Sequence, residues 1–147
     1  MTTTSHTANN EAQVRALIAD WAKAIRTKNA AGVLSRYAAD CILFSLAPPL
    51  ISPATKAKVL NAWFDTWQGP IGYEIRKLSV TVGDDVAFSH SLNRMSGMQT
   101  DGEKSDIWFR HTLGFRKIRG VWKITHEHES VPFYMDGSYK AAVDLKP

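Results

Sequence analysis

The spacing of apolar residues changes near Tyr73, and this change constrains the fold more than any other feature of the sequence. Before Tyr73, apolar side chains recur every three or four residues, as on one face of a helix. From Tyr73 onward they alternate with polar ones, as in strands that bury one face of a sheet. A helical half followed by a run of strands predicts an α+β domain, with helices packed on one face of a curved antiparallel sheet.

Three helices are predicted in the first half of the chain. Capping and stop signals place them between Glu11 and Lys28, from Ala30 to about Ala39, and from near Pro53 to a stop at Gly69-Pro70. The stretch CILFSL, between the second and third helices, predicts a short buried strand. The first ten residues, MTTTSHTANN, are polar and Thr-rich, so we expect residues 1–10 to be disordered and residues 11–147 to form a single domain.

Four long strands are predicted in the second half. Turn signals separate strands that begin at Tyr73 and then run from Val86 to Met98, Glu103 to Ile118 and Val121 to Val131. The apolar alternation slips by one residue near Arg76-Lys77. That slip predicts a bulge that bends the sheet.

Composition excludes several classes of protein. No run approaches the roughly 18 apolar residues of a membrane helix, and nothing resembles a secretory signal. The single Cys41 excludes an internal disulfide framework and fits a cytoplasmic location. The net charge of +4 comes from scattered basic residues without a continuous stripe, which argues against nucleic acid and favours a small anionic ligand over a polyanion.

The segment RHTLGFRKIRGVWKITHEHESVPF holds three of the five histidines around a predicted hairpin. If Arg119 and Gly120 form a two-residue turn, the register carries Leu113 opposite His126 and His111 opposite His128. All these side chains would then share the apolar face that the helices cover. On the other face, Arg110 would lie opposite Glu129 as a cross-strand ion pair.

Three interpretations of His111, His126 and His128 follow from this register. They could bind one zinc ion and leave an open position for water. They could each satisfy a local hydrogen bond in a half-buried sheet. They could instead line the mouth of an apolar cavity and bind a polar group or move a proton. We favour the ligand cavity, and we predict neither a bound metal nor a cofactor.

The early segment DWAKAIRTKNAAGVLSRYAADCILF and the late histidine hairpin together resemble the nuclear transport factor two-like superfamily, in its SnoaL-like, ketosteroid isomerase-like branch. The resemblance spans nearly the whole chain after residue 10. It implies a cone-shaped, cystatin-like α+β domain with a deep pocket between helices and sheet. It also implies a homodimer, in which the outer sheet face that carries Trp108 packs against its copy.

The residues depart from the catalytic pattern of the steroid isomerases that share this fold. Matching the early helices without gaps puts Trp21 where those enzymes have a tyrosine and Ser45 where they have the general base, while their late donor falls on His111 or Thr112. Indole is a weak donor, and an unassisted serine is not a base at neutral pH. Steroid double-bond isomerisation by the usual mechanism is therefore not expected.

The expected site is a pocket for a small, largely apolar ligand. Its predicted ligand-binding residues are Tyr37, Trp63, Trp67, His111, His126 and His128. If the protein is an enzyme, it performs acid–base chemistry of the isomerase, cyclase or dehydratase type on a carbonyl compound, with His126 or His128 as proton carrier. The alternative is a module that binds a ligand or dimerises without catalysis.

Overall fold

The computed structural model describes residues 2–54 and 56–147. For residues 2 and 3 it describes the backbone but not the side chains. Its helices are α1 (Thr2–Arg26), α2 (Ala30–Leu34) and α3 (Ala57–Phe64). Its strands are β1 (Tyr37–Phe44), β2 (Ser52–Pro53), β3 (Trp67–Val82), β4 (Val86–Gln99), β5 (Lys104–Ile118) and β6 (Val121–Ser130). The predicted α+β architecture is confirmed, because the helices lie in the first half and the four long strands follow them.

The strands of the described residues form one six-stranded sheet in the order β2-β1-β6-β5-β4-β3. As predicted, β3 to β6 make an antiparallel meander, and β1 joins β6 in parallel. The expected bulge near Arg76-Lys77 is present: the register shifts between Arg76 and Ser79, and Lys77 has a φ of 53°. This bulge and the other register shifts bend the sheet.

The hydrophobic core lies between α1 and one face of the sheet, called here the inner face. From α1, Val14, Ile18 and Trp21 are at most 3% exposed. The matching inner-face residues are Phe109, Leu113, Phe115, Trp122 and Ile124. The opposite sheet face, called the outer face, is not covered by a helix of the described chain. The core therefore fixes which strand positions point inward.

The N-terminal segment differs from the prediction. Helix α1 begins at Thr2, so residues 2–10 are helical rather than disordered, and Met1 lies outside the described residues. Asn10 anchors this part of the helix: its amide donates to the carbonyl groups of Gly83 and Asp84, and its oxygen accepts from Lys117 Nζ. These contacts with the sheet hold a polar segment that composition alone would leave unstructured. None of the helices described here is long and apolar enough to span a membrane.

The second predicted helix is shorter than expected. Helix α2 ends at Leu34, after Asn29 caps its start by accepting from Gly32 N at 3.0 Å. Tyr37 therefore lies on β1, which also contains most of the predicted buried strand. The helical spacing of Val33, Leu34 and Tyr37 was misleading because β1 alternates buried and exposed positions irregularly.

The third predicted helix is displaced at both ends. Ser52 and Pro53 form the short edge strand β2, where a proline is tolerated, and α3 starts four residues later. Gly69-Pro70 does not stop a helix. It lies inside β3, where Gly69 has a φ of 64° and the register shifts between Gln68 and Gly72. A Gly-Pro pair thus makes a bulge here, and Trp67 begins a strand.

The β5–β6 hairpin has the predicted turn but not the predicted register throughout. Arg119 and Gly120 have φ values of 51° and 80°, and Ile118 pairs with Val121 as expected. The next predicted pair, Phe115 with Ile124, is also confirmed. Beyond it the register shifts, because Gly114 pairs with His126 and leaves Thr125 as an extra residue. This bulge moves every later residue of β6 to the opposite face.

The anchoring of α1 by Asn10 gives a testable prediction. We expect Asn10→Ala to lower the free energy of unfolding by about 1–2 kcal/mol, because two carbonyl groups and an ammonium lose a partner. Urea denaturation measures the change. Glu11→Ala is the matched control, since it removes an exposed helix pair with Arg15 that contributes at most about 0.5 kcal/mol. Equal losses for the two variants would contradict the anchoring role.

Candidate functional site

The bulge at Thr125 exchanges the faces on which the histidines and glutamates of β6 lie. Leu113 pairs with Glu127 and His111 with Glu129, where the uninterrupted register had placed His126 and His128. Glu127 is 7% exposed, and both glutamates line a cavity on the inner face. The expectation that His126 and His128 point inward is therefore wrong. The predicted pair of Arg110 with Glu129 is wrong as well, since Arg110 Nε donates to Ser130 Oγ.

Glu127 is held by a chain of hydrogen bonds across the inner face. Its Oε2 lies 2.6 Å from His111 Nε2, and its Oε1 accepts from the Tyr37 hydroxyl at 2.8 Å. The Tyr37 oxygen in turn accepts from Trp21 Nε1 at 3.2 Å. Burial, and then the charge of Glu127, raises the pKa of Tyr37 well above its usual value, so Tyr37 keeps its proton. The chain fixes Glu127 as a hydrogen-bond acceptor.

Glu129 has much weaker support. Among the described residues its hydrogen-bond partner is the backbone amide of Leu46, which donates to Oε2 at 3.4 Å. Burial, and then the charge of Glu127, raises the pKa of Glu129 to about 7. Both protonation states are therefore populated near neutral pH. A cavity-lining carboxyl of this kind can take up a proton from a ligand or deliver one to it.

The cavity around these groups has a volume of about 560 Å³. Its walls come from α3, from β1 and from the segment between β1 and β2. Most of the wall is apolar, with side chains that include Leu43, Leu46, Pro48, Pro49, Val59, Leu60, Trp63 and Met95. The polar side chains of Tyr37, Tyr73, Glu127 and Glu129 also line it, and of these Tyr73 and Glu127 are buried. An apolar cavity with a few convergent polar groups is typical of small-molecule sites.

The predicted site residues are divided among three environments. Tyr37 and Trp63 line the cavity. His111, which is 3% exposed, lies behind Glu127, and Trp67 is buried at the start of β3, where its ring meets Trp63 edge-on at 6.0 Å.

His126 and His128 lie on the outer face. Their rings contact Phe44, with centroid distances of 4.7 and 5.2 Å, and His128 is exposed. The interpretation as local sheet histidines therefore fits this pair, and His126 Nδ1 lies 2.8 Å from the Ile42 carbonyl oxygen. Neither ring lines the cavity.

The three-histidine zinc arrangement, one of the three interpretations of the sequence, is not formed, because His111 lies on the other sheet face from His126 and His128. Among the residues that the structure describes, His111, Glu127 and Glu129 are the ones that offer metal-binding atoms together, within 4.8 Å of one another. One nitrogen and two carboxylates suit a divalent cation. Such an ion would have to replace the short contact between His111 and Glu127.

Four residues of the site were not predicted from the sequence: Glu127, Glu129, Tyr73 and the buried Asn93. The glutamates were assigned to the outer face because the alternation was carried through Thr125 without a bulge. One signal could have corrected this: Gly114 sits inside a strand pattern, and an isolated strand glycine often marks a bulge. Gly114 does lie beside the register shift. No signal in β6 itself marks Thr125 as the extra residue.

The SnoaL-like domain family matches residues 14–134. This chain belongs to that family. The family lies in the nuclear transport factor two-like (NTF2-like) superfamily, which agrees with the resemblance in the sequence. No curated protein matches the chain.

Solved structures place the SnoaL-like domain among related folds. An NTF2-like protein of unknown function from Pseudomonas putida KT2440 is 32% identical, with a TM-score of 0.84 over 95% of this chain and 98% of that one. A ketosteroid isomerase-like protein from Erwinia carotovora atroseptica is 21% identical, with a TM-score of 0.68 over 81% and 93%. The association domain of C. elegans CaMKII is 17% identical, with a TM-score of 0.65 over 86% and 98%. The last two show a likeness of fold alone.

The titration of Glu129 predicts a pH dependence of stability. Because its pKa rises from the ordinary value of 4.5 to about 7 on folding, the folded protein keeps a proton that the unfolded chain releases between these pH values. The contribution of the protonated carboxyl to stability is fully present below pH 4.5 and is lost as the pH rises to about 7.

Glu129→Gln cannot ionise and should not show this loss. The unfolding free energy of the variant minus that of the parent protein should increase by about 2–3 kcal/mol between about pH 4.5 and pH 8. Chemical denaturation at a series of pH values measures this difference. A difference that stays constant across the series would show that Glu129 titrates normally.

Proposed function

We propose that this SnoaL-like domain catalyses acid–base chemistry on a small, largely apolar carbonyl compound, with Glu129 as the proton carrier. The observation that carries the proposal is a carboxyl group that lines an apolar cavity and has a pKa raised to about 7. General acid–base catalysis is most efficient when the pKa of the catalytic group lies near the working pH. The sequence hypothesis gave this role to His126 or His128, and the geometry favours Glu129 instead.

The reaction class follows from what Glu129 can do in this position. As a carboxylate it would remove a proton from the carbon next to the ligand carbonyl, and the C–H electron pair would move to the carbonyl oxygen as an enolate. If the ligand has a double bond between its β- and γ-carbons, the enolate is a dienolate and the protonated Glu129 would return the proton to the γ-carbon. If the ligand has a hydroxyl on its β-carbon, the enolate electrons would form the new C=C bond as the C–O bond breaks, and the protonated Glu129 would release the hydroxyl as water. The first outcome is an isomerisation and the second a dehydration. Both balance without a cofactor.

Glu127 has a different role in this proposal. Because it already accepts from Tyr37 and contacts His111, it is poorly placed to exchange a proton with the ligand. Burial raises the pKa of Glu129, and the charge of Glu127 raises it further, so Glu127 tunes the proton carrier. Trp21 and Ser45 both line the cavity. The Trp21 N–H already donates to the Tyr37 hydroxyl, which fits the expectation that the usual steroid isomerase mechanism does not operate.

The catalytic proposal can be tested with 2-tetralone, an apolar bicyclic ketone whose C–H groups beside the carbonyl exchange with solvent. We expect the protein to accelerate exchange of these hydrogens for deuterium in D₂O, followed by proton NMR. The rate should rise with pH as Glu129 becomes a carboxylate, up to about pH 7. Glu129→Gln should lower the accelerated rate by about 100-fold or more.

Two further variants make this test selective. Glu103→Gln changes an exposed carboxyl in the turn before β5 and should leave the exchange rate unchanged. His128→Ala separates the two assignments, because a loss of exchange here, with Glu129→Gln still active, would restore the histidine hypothesis. No acceleration by the parent protein would count against enzyme activity on ketones and favour the binding module.

The alternative function, a module that dimerises, rests on the outer face of the sheet. This face presents Trp108 with the Arg76 guanidinium 4.8 Å from its ring centroid, and Arg94 beside it makes two hydrogen bonds of 2.7 Å to Asp106. Half-exposed Phe88 extends the surface along β4. Interface centres are enriched in aromatic residues and arginine. We infer a homodimer in which sheet packs on sheet, and a fold relative is named as an association domain.

The dimer has its own test. Trp108→Ala should weaken self-association at least about tenfold, because it removes the large flat side chain at the centre of the proposed interface. Lys23→Ala, on the exposed side of α1, should have no effect. Sedimentation at a series of protein concentrations measures both. A parent protein that sediments as a 16.4 kDa monomer at micromolar concentration would disprove the dimer.

We also infer a cytoplasmic location and a small-molecule partner rather than nucleic acid or membrane. The single Cys41 is compatible with this location; it is 1% exposed, and burial raises the pKa of its thiol to about 12. A thiol of this kind packs as a small apolar group and resists oxidation. Detection of the protein in the soluble cytoplasmic fraction of its host cells would test the location.

A further inference from the structure

Two tyrosines line the cavity, and their hydroxyl groups are engaged differently. Tyr37 uses both capacities of its hydroxyl, because it accepts from Trp21 and donates to Glu127. Tyr73 accepts from Asn93 Nδ2 at 2.8 Å. Within residues 2–54 and 56–147, no side chain or backbone group accepts a hydrogen bond from the Tyr73 hydroxyl. Tyr73 is 6% exposed and lines the cavity, so this hydroxyl donor belongs to a largely buried residue of the site.

Asn93 determines which half of the Tyr73 hydroxyl remains available. Its side chain is 0% exposed, and its Oδ1 accepts from Ser91 Oγ at 2.7 Å. With the oxygen engaged by Ser91, the amide NH₂ points to Tyr73 and occupies the phenol oxygen. A phenol whose oxygen is occupied can still donate its proton. The buried pair of Ser91 and Asn93 therefore makes Tyr73 a donor.

The ring of Tyr73 is fixed by its packing. It meets the ring of Trp21 edge-on at a centroid distance of 5.5 Å and that of Phe109 at 6.3 Å. Burial, and then the charge of Glu129, raises the pKa of Tyr73 well above its usual value, so the proton stays on the phenol. Glu129 lines the same cavity as Tyr73, and the two side chains form no hydrogen bond with each other.

We propose that Tyr73 binds the carbonyl oxygen of the ligand by donating a hydrogen bond, that Asn93 positions it for this role, and that the site thereby selects apolar ketones. The proposal rests on the proposed function and deepens it by naming the group that the site recognises. An oxygen at this point would lie between a hydrogen-bond donor and the proton carrier. When Glu129 removes the neighbouring proton, the charge that develops on the oxygen would meet the phenol proton.

The test compares two fluorescent probes that differ only in the carbonyl group. The first is 6-propionyl-2-dimethylaminonaphthalene, an apolar ketone whose emission moves to longer wavelength when its oxygen accepts a hydrogen bond. The second is 6-propyl-2-dimethylaminonaphthalene, in which a methylene replaces the carbonyl. We expect Tyr73→Phe to weaken binding of the ketone by about 3- to 10-fold and to shift its bound emission to shorter wavelength. Binding of the second probe should not change, because the phenyl ring still packs on Trp21 and Phe109.

Asn93→Leu tests the positioning role in the same assay. It should produce part of the emission shift of Tyr73→Phe, because the phenol is then no longer held in one orientation. Restoring an amide with Asn93→Gln should recover the emission at least in part if the variant positions the same donor. A Leu variant with the emission of the parent protein would show that Asn93 does not position Tyr73.

Three results of this experiment would each contradict a different part of the proposal. If the Asn93 amide were turned round, it would accept the Tyr73 proton, and Tyr73→Phe would leave the ketone emission unchanged; that result overturns the assignment of Tyr73. If Tyr73→Phe weakens both probes equally, Tyr73 contributes packing alone, and the carbonyl subsite is wrong. If neither probe binds the parent protein, the cavity does not accept apolar ligands, and the proposed function fails together with the subsite.

Discussion

The extra residue at Thr125 is the constraint on which the candidate site depends. A strand places alternate side chains on opposite faces, so one inserted residue exchanges the faces of everything beyond it. Without the bulge, the inner face would carry His126 and His128, and the two glutamates would be in solvent. With it, Glu127 and Glu129 enter the cavity beside His111 and the histidines pack on Phe44. A backbone irregularity of one residue thus decides which acid–base groups the cavity contains.

Burying two carboxyl groups side by side is unfavourable unless they are compensated, and the compensation here is unequal. Glu127 receives the Tyr37 hydrogen bond and a short contact with His111, while Glu129 has a long contact with a backbone amide. The better-supported group can remain an acceptor. Burial, and then the charge of Glu127, raises the pKa of the other group to about 7. Two residues of the same type, two positions apart, therefore acquire different hydrogen-bond partners from their neighbours alone.

The parts of the structure that follow from local pattern were predictable, and those that depend on packing were not. Alternation and turn residues located the four-strand meander, and the type of turn at Arg119-Gly120 set the first pairs of the hairpin correctly. Composition could not show that residues 2–10 are helical, because Asn10 holds them through contacts with residues more than seventy positions away. Tyr37 and Trp63 were predicted to line the cavity as part of its aromatic wall. The inward position of Glu129 could not be predicted, because it depends on a bulge for which β6 contains no sequence signal.

The free-energy cost of burying the Glu129 carboxyl beside Glu127 bears on its function. A neutral glutamine or an apolar side chain of similar size would fit this wall without the cost of bringing an ionisable group out of water beside Glu127. The position instead keeps a carboxyl group that lines the cavity and has one long hydrogen bond, from the Leu46 backbone amide. Local arrangements that reduce stability are concentrated at functional sites, where the group is retained for what it does rather than for what it stabilises. The raised pKa of Glu129 is one physical fact with two consequences, because burial both lowers stability near neutral pH and gives this carboxyl an acidity suited to proton transfer there.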